Sequence, residues 1–111
     1  MDAFAALADP TRRLIIEKLA LHGRQSATEI ADQFSMSAQA ISQHLKILRE
    51  AQWVQMEKRA QQRIYQINVD AARKVELWAR QLELLWEERH GALAVLLEEE
   101  KRRAPQKGDI A

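Results

Sequence analysis

Gln39, Ser42, Gln43 and Lys46 recur at the i, i+3, i+4, i+7 spacing of one helical face. The two glutamines and the serine are uncharged groups that both donate and accept hydrogen bonds. An ordinary solvent-facing helix is filled with Glu and Lys, which are better helix formers than Ser and keep a chain in solution. A row of amides and a hydroxyl suits a different task. Gln bonds bidentately to adenine N6 and N7, and Ser serves several base edges, so this row has the chemistry to read a base pair. Lys46, one turn further on, is placed to reach backbone phosphate.

Side chains that read bases must be carried on a helix whose other face is buried and whose first turns enter the major groove. Residues 38–51 have that pattern. Ile41, Leu45 and Leu48 fall together opposite the polar row, and Ser37 stands at the N-cap position. Upstream, Ser26 and Glu29 have capping-box spacing, which predicts a short helix through Phe34 with Ile30, Ala31 and Phe34 facing inward. A tight turn, Ser35-Met36-Ser37, separates the two helices, so residues 26–51 form a helix-turn-helix.

From Val54 the period changes from helical to alternating. Val54 and Met56 alternate with Gln55 and Glu57, and Ile64-Tyr65-Gln66-Ile67 is rich in β-branched and aromatic residues. Residues 54–67 read as a two-stranded hairpin with a polar, basic tip from Arg59 to Gln62. Directly after a reading helix, such a hairpin is a wing that lies along the DNA backbone or in the adjacent minor groove. Lys58, Arg59 and Arg63 would be its phosphate contacts. Charged strand edges also serve simply to prevent aggregation, and Gln and Ser are tolerated on any solvated surface. The ordered pair, helix-turn-helix and then basic hairpin, favours the DNA reading. Charge agrees: the chain is nearly neutral at +1, yet residues 36–67 hold Lys46, Arg49, Lys58, Arg59 and Arg63 against only Glu50 and Glu57.

The flanking elements must hold this reader. Asp9-Pro10 reads as an N-cap and first helical residue, and Leu14, Ile15 and Leu19 give a stripe that runs to Gly23. Phe4 and Leu7 suggest a short helix before it. Asp70 can cap a long final helix in which Val75, Trp78, Leu82 and Leu85 keep a 3-4-3 rhythm, resumed by Leu93, Leu96 and Leu97 after a break at residues 87–91. The fold class is thus mostly α with a small β-hairpin, one domain over residues 1–100: helix-turn-helix at 26–51, wing at 54–67, final helix at 70–100. Residues 101–111 carry no apolar pattern and are expected to be a disordered tail.

Other functions find little support. The chain has no cysteine, which excludes disulfides and thiolate metal sites. His22, His44 and His90 stand on three different elements without a second ligand at helical spacing, so no metal or other cofactor is expected. His44, on the flank of the core stripe, reads as a partly buried, hydrogen-bonded histidine, and His90 with Glu87 as a solvated helix pair. No nucleophile–base pair, paired carboxylates or phosphate-binding glycine loop can be assembled, so no catalytic residue is named and the chain is not expected to be an enzyme. The N-terminus lacks a signal-peptide pattern, and no apolar run approaches the roughly 20 residues that cross a bilayer. A cytoplasmic protein with no membrane partner is expected.

Trp78 and Trp86, with Leu82 and Leu85, are too large to expose cheaply and predict a hydrophobic seam between two copies of the chain, helped by Phe4, Leu7 and Val75. The alternatives are an aromatic pocket for a small-molecule effector between subunits, or a protein-interaction module that works through the final helix.

At this point the chain resembles the ArsR-type winged-helix repressors. ALADPTRRLIIEKLA is similar to the opening of that family's second helix. SATEIADQFSMSAQAISQHLKILREAQWV resembles its helix-turn-helix, including the His-Leu-Lys-x-Leu run at His44 to Leu48. LELLWEERHGALAVLLEEE resembles a subgroup whose final helix carries Trp-Glu-x-Arg. The resemblance covers about residues 3–100. It implies a winged helix-turn-helix with a long C-terminal dimerisation helix, and a homodimeric transcriptional repressor displaced from its operator by some signal. It puts Ala38, Gln39, Ser42 and Gln43 at base-facing positions. The DNA-binding set is then Ser37, Ala38, Gln39, Ser42, Gln43, Lys46, Lys58, Arg59 and Arg63, and the partners are double-stranded operator DNA, a second copy, and a small-molecule or protein effector. Two departures are specific. The family usually has Gly where this chain has Gln52, ending the recognition helix in a left-handed turn, and Gly near Ala60 at the wing tip. A side chain at such a site costs something like 1 kcal/mol. The cysteine pairs with which many members sense metals are absent.

Overall fold

The structure, a computed structural model, describes residues 1–103. Most of the expected tail, residues 104–111, therefore lies outside the described residues. The single turn α1 (Ala3–Ala6) is capped by Asp2, whose carboxylate accepts the Ala5 amide at 2.7 Å. α2 (Pro10–His22) starts as its sequence dictates: Asp9 accepts the amides of Thr11 (2.7 Å) and Arg12 (3.2 Å), and Pro10 fills a position that needs no amide partner. It ends at Gly23, whose φ of 81° is open to glycine without penalty. The buried face is Arg12, Ile15, Ile16 and Leu19, whereas Leu14, expected inside, is 43% exposed. Burial of Arg12 sets this rotation. Its Nε donates to the Ala6 carbonyl at 2.8 Å, which brings the i, i+3, i+4, i+7 line through Arg12 to the core.

Ser26 and Glu29 form both halves of the expected capping box (3.1 and 2.8 Å) and open α3 (Ala27–Ala31). α3 stops three residues before Phe34, because the Gln33 and Phe34 amides turn back to Ile30 and Ala31. The connection to the next helix is therefore Asp32–Ser37, longer than the expected turn. Ser37 caps α4 (Ala38–Glu50) through the Ala40 amide at 3.1 Å, and Ile41, Leu45 and Leu48 are buried as expected. Truncation of any of these to Ala would cost about 2–5 kcal/mol.

α4 ends in a Schellman motif. Gln52 sits at φ 64°, its amide bonds the Arg49 carbonyl (3.1 Å), and the Trp53 amide reaches back to Leu48 (2.9 Å). β2 (Val54–Arg59) and β3 (Gln62–Ile67) then pair antiparallel from Val54↔Ile67 to Arg59↔Gln62. Ala60-Gln61 closes the hairpin with φ 54° at Ala60 alone, the φ pattern of a type II′ turn, which favours Gly at that place. The wing is a three-stranded sheet, not a bare hairpin. β1 (Gln25–Ser26) pairs with β3 on the far side, Gln25↔Tyr65 and Ser26↔Ile64. Two residues are too few for alternation to be visible in sequence.

Trp53 anchors the sheet, as its size predicts. Its indole donates to the Ala3 carbonyl (2.8 Å) and its carbonyl accepts the Asn68 amide (2.8 Å). α5 (Val69–Arg103) is capped by Asn68, whose Oδ1 accepts the Asp70 amide at 3.2 Å, so Asp70 lies in the first turn and is not the cap. The helix runs unbroken through residues 87–91 and continues to Arg103, three residues into the expected tail. Packing divides the chain into two compact units, Met1–Glu76 and the residues from Leu77 onward. The core of the first joins Ile15, Leu19, Ile30, Ile41, Leu45, Leu48, Trp53 and Tyr65. Among the described residues no helix is long and apolar enough to cross a membrane.

Candidate nucleic-acid interface

The cap at Ser37 and the burial of Ile41, Leu45 and Leu48 turn the opposite side of α4 to solvent. Ala38, Gln39, Ser42, Gln43 and Lys46 are all exposed there. Ser37 is exposed as well. Its oxygen is engaged by the Ala40 amide, which leaves its hydroxyl hydrogen for an outside acceptor.

Strand register sorts the three wing cations. Cross-strand partners share a face, so Lys58↔Arg63 lies on the same face as Met56↔Tyr65, the face that carries Tyr65 into the core. On that face Arg63 and Tyr65 border α4: with Ser42, Gln43, Lys46, Arg49 and Glu50 they line a cleft of about 260 Å³. Arg59 alternates to the outer face, where it pairs loosely with Glu57 at 3.7 Å. Of the expected wing contacts, the structure thus brings Lys58 and Arg63 to the side of the reading helix and leaves Arg59 on the other. Lys58 and Arg63 are like charges directly opposite each other, an arrangement that costs stability until an anion approaches. The outer face instead carries a relay from the Arg24 guanidinium to Gln66 (2.8 Å) and from Gln66 to Gln55 (3.1 Å).

Three residues of the cleft, Arg49, Glu50 and Tyr65, lie outside the expected DNA-binding set. Arg49 continues the polar row of α4 at i+3 from Lys46; in sequence its charge counts in the basic region, but the row expected there ends at Lys46. Tyr65 alternates inward and reads from sequence as core alone.

Among titrating groups, Asp9 stands out. Burial by itself would raise its carboxyl, but the Arg12 and Thr11 amides, with electrostatic attraction to His44 and Arg12, hold it below the ordinary range. His44 is half-buried as expected but is not hydrogen-bonded: its Nδ1 is sealed from solvent without a partner. The flank of α4 beside the α2 cap offers that nitrogen no donor or acceptor. His90 does not pair with Glu87. Its ring tilts over Trp86 at 4.0 Å, and its Nδ1 lies 3.3 Å from the Trp86 carbonyl. Among the described residues no three His, Asp or Glu side chains converge as metal ligands.

A polar, groove-sized helix flanked by a cationic wing can be set beside known proteins. The family model described as bacterial regulatory protein, arsR family, matches residues 9–55. The HTH-type transcriptional regulator Rv2034 of Mycobacterium tuberculosis is 41% identical over 85 residues, which covers 72% of this chain and 78% of that one. The chain belongs to the ArsR family. The transcriptional repressor SdpR of Bacillus subtilis is similar as well, 37% identical over 67 residues, covering 60% of this ArsR chain and 73% of that repressor. In structure, the ArsR chain resembles the homodimeric winged helix-turn-helix DNA-binding domain Mb0332 of Mycobacterium bovis, solved by NMR. The TM-score is 0.60 with 26% identity, covering 73% of this chain and 75% of that one. The ArsR chain is a transcriptional regulator with a winged helix-turn-helix and not an enzyme.

A second surface of this ArsR regulator is apolar. In the unit from Leu77 onward, Trp78, Leu82, Leu85 and Trp86 are half to two-thirds exposed. Leu93, Leu96 and Leu97 continue the same side of α5. In the first unit Phe4 is exposed, whereas Leu7 and Val75 are half-buried against its core. Leu77, Leu84 and Val95 form a separate exposed line on α5 that was not expected. A shallow pocket on this helix is lined by Gln81, Leu84, Leu85 and Glu88, with neither tryptophan.

Proposed function

We propose that this ArsR regulator is a homodimeric transcriptional repressor, working in the cytoplasm, that reads an inverted-repeat operator in double-stranded DNA. The observation that carries the reading is the exposed row Gln39, Ser42, Gln43 and Lys46 on a capped helix whose opposite face is core. Ala38, Gln39, Ser42 and Gln43 meet base edges. Ser37 and Lys46 hold phosphates beside them, Lys58 and Arg63 hold the backbone on the α4 side of the wing, and Arg59, on the outer face, can meet DNA only from the wing's tip. One recognition helix reads too few base pairs to mark a genomic site, so two copies act together. Their seam is the Trp78, Leu82, Leu85 and Trp86 side of α5, with Val75, Phe4 and Leu7. Supporting this, the M. bovis domain is a homodimer and the B. subtilis relative is a repressor.

The test is selection of bound duplexes from a random pool, followed by gel shifts across a salt series. The enriched site should be an inverted repeat with half-sites about one helical turn apart, near 34–36 Å. Retention that ignores salt, or enrichment of no sequence at all, refutes the reading.

A further inference from the structure

We infer that the cleft between α4 and β3 seats one backbone phosphate, and that the Tyr65 hydroxyl and the Arg49 guanidinium hold it together with Arg63. The inference rests on α4 and the wing being the DNA surface and adds to it a specific docking point and two new contacts.

Tyr65 is the unusual member. It is 5% exposed, and its ring belongs to the core, where it faces Met56 across the sheet. A buried tyrosine normally finds a partner for its hydroxyl. Among the described residues this one has none, yet it is not sealed in: the single buried side-chain polar atom left without a partner is His44 Nδ1. The hydroxyl is therefore open to solvent, and Tyr65 lines both this cleft and the neighbouring one toward α3. A rigid ring fixes where that donor points.

The rest of the cleft completes the case for an anion. Lys46, Arg49 and Arg63 line it against one carboxylate, Glu50, which leaves it clearly positive. Neither arginine side chain makes an ion pair or hydrogen bond among the described residues. Unpaired guanidinium groups around a phenolic donor suit a ligand that only accepts hydrogen bonds and carries negative charge, which describes a phosphodiester. A space of about 260 Å³ has room for a phosphate group. Ser42 and Gln43 of the base-reading row line the same cleft, so its occupant borders the groove that α4 would enter. Arg63 and Tyr65 also line the neighbouring cleft with Thr28, Ala38 and Ser42, which places them between the two helices of the motif. A phosphate clamped there sets how deeply the helix enters, so Tyr65 is a positioning contact for the bases that Ser42 and Gln43 read.

The experiment uses the full chain and the duplex that the wild-type protein enriches from a random pool. Single phosphates are replaced one by one with neutral methylphosphonates, and binding is read by fluorescence anisotropy for wild type, Tyr65→Phe, Arg49→Gln and Arg63→Gln. Wild type should lose about tenfold in affinity at one position per half-site. Each variant should bind the unmodified duplex more weakly and show almost no further loss at that same position, the signature of groups that act on one atom set. Arg49→Gln should also flatten log affinity against log salt by about one unit per copy, while Tyr65→Phe, which removes no charge, leaves the slope alone. Tyr65→Phe keeps its ring, so its melting temperature should match wild type. Variants that remain sensitive at every position overturn the phosphate seat while leaving the DNA reading intact. A wild-type protein that binds no duplex overturns both. Millimolar inorganic phosphate that shifts the Tyr65 ring resonances, with no methylphosphonate-sensitive position in the duplex, would mean a free-anion site and would overturn the assignment to DNA.

Discussion

Gln52→Gly and Ala60→Gly should each stabilise this protein, against the usual rule that glycine weakens a fold. Both residues stand at positive φ, 64° and 54°. The left-handed region brings Cβ against the following carbonyl and costs an L-residue roughly 1–2 kcal/mol. Glycine removes that cost and gives back about 0.5–1 kcal/mol through the greater freedom of its unfolded chain. The net gain is about 0.5–1 kcal/mol per site. Both side chains are exposed and make no hydrogen bond among the described residues, so nothing is lost with them. β2 separates the two sites by roughly 20 Å at about 3.3 Å per residue, far enough for the effects to add. The double variant should gain about 1–2 kcal/mol, read as a higher urea midpoint at unchanged slope and fixed protein concentration. Gln61→Gly is the control. Gln61 shares the turn with Ala60 but is not at positive φ, so it should lose a few tenths to about 1 kcal/mol. Equal losses at positions 52, 60 and 61 would refute the reasoning.

Three further outcomes are expected. Asp9→Asn keeps the cap oxygen but not the charge. The wild-type contribution is fully present above the ordinary carboxylate value near 4 and is lost as pH falls through the lowered folded value, so the variant's urea midpoint should respond less to acid below about pH 4. Gln43→Ala should lose about 1–3 kcal/mol on the selected duplex with little change on random DNA, and an equal loss on both in gel shifts would make Gln43 a phosphate contact. Leu82→Glu combined with Leu85→Glu should give monomers by analytical ultracentrifugation and abolish specific binding with every α4 side chain intact, whereas a variant that stays dimeric would put the seam elsewhere.

Sequence was most informative where one residue type has one physical use. Asp9-Pro10, the Ser26–Glu29 box, Ser37 and Trp53 each do in the structure what their chemistry requires. It was least informative where a long-range partner decides. Leu14 turns outward because buried Arg12 bonds Ala6, and no helical wheel of α2 contains that carbonyl. β1 exists only because Gln25 and Ser26 meet β3 some forty residues later. The reading row on α4 was legible because it stands opposite a core stripe on the same helix. Tyr65 was not, because its ring satisfies the period of a buried strand residue and alternation says nothing of where a hydroxyl emerges. Arg59 and Arg63 look alike in sequence, and only the register separates their faces.

The indole bond from Trp53 to Ala3 joins residues fifty positions apart, and it gives α1 an unusual folding status. A single turn of four residues has no helical existence of its own, since nucleation is costly and only a few bonds follow. α1 is held by what it touches: the Asp2 cap, the Arg12 guanidinium on Ala6, and the Trp53 indole just past the end of α4. Two of those three belong to elements that must already be formed. α1 is therefore the last piece to dock in refolding and the first to let go. In hydrogen exchange its Ala5, Ala6 and Leu7 amides should open at low free energy, well below the Leu45 and Leu48 amides of α4. A replacement of Trp53 by Phe should release α1 selectively, turning the N-terminus into a mobile arm while the helix-turn-helix keeps its protection.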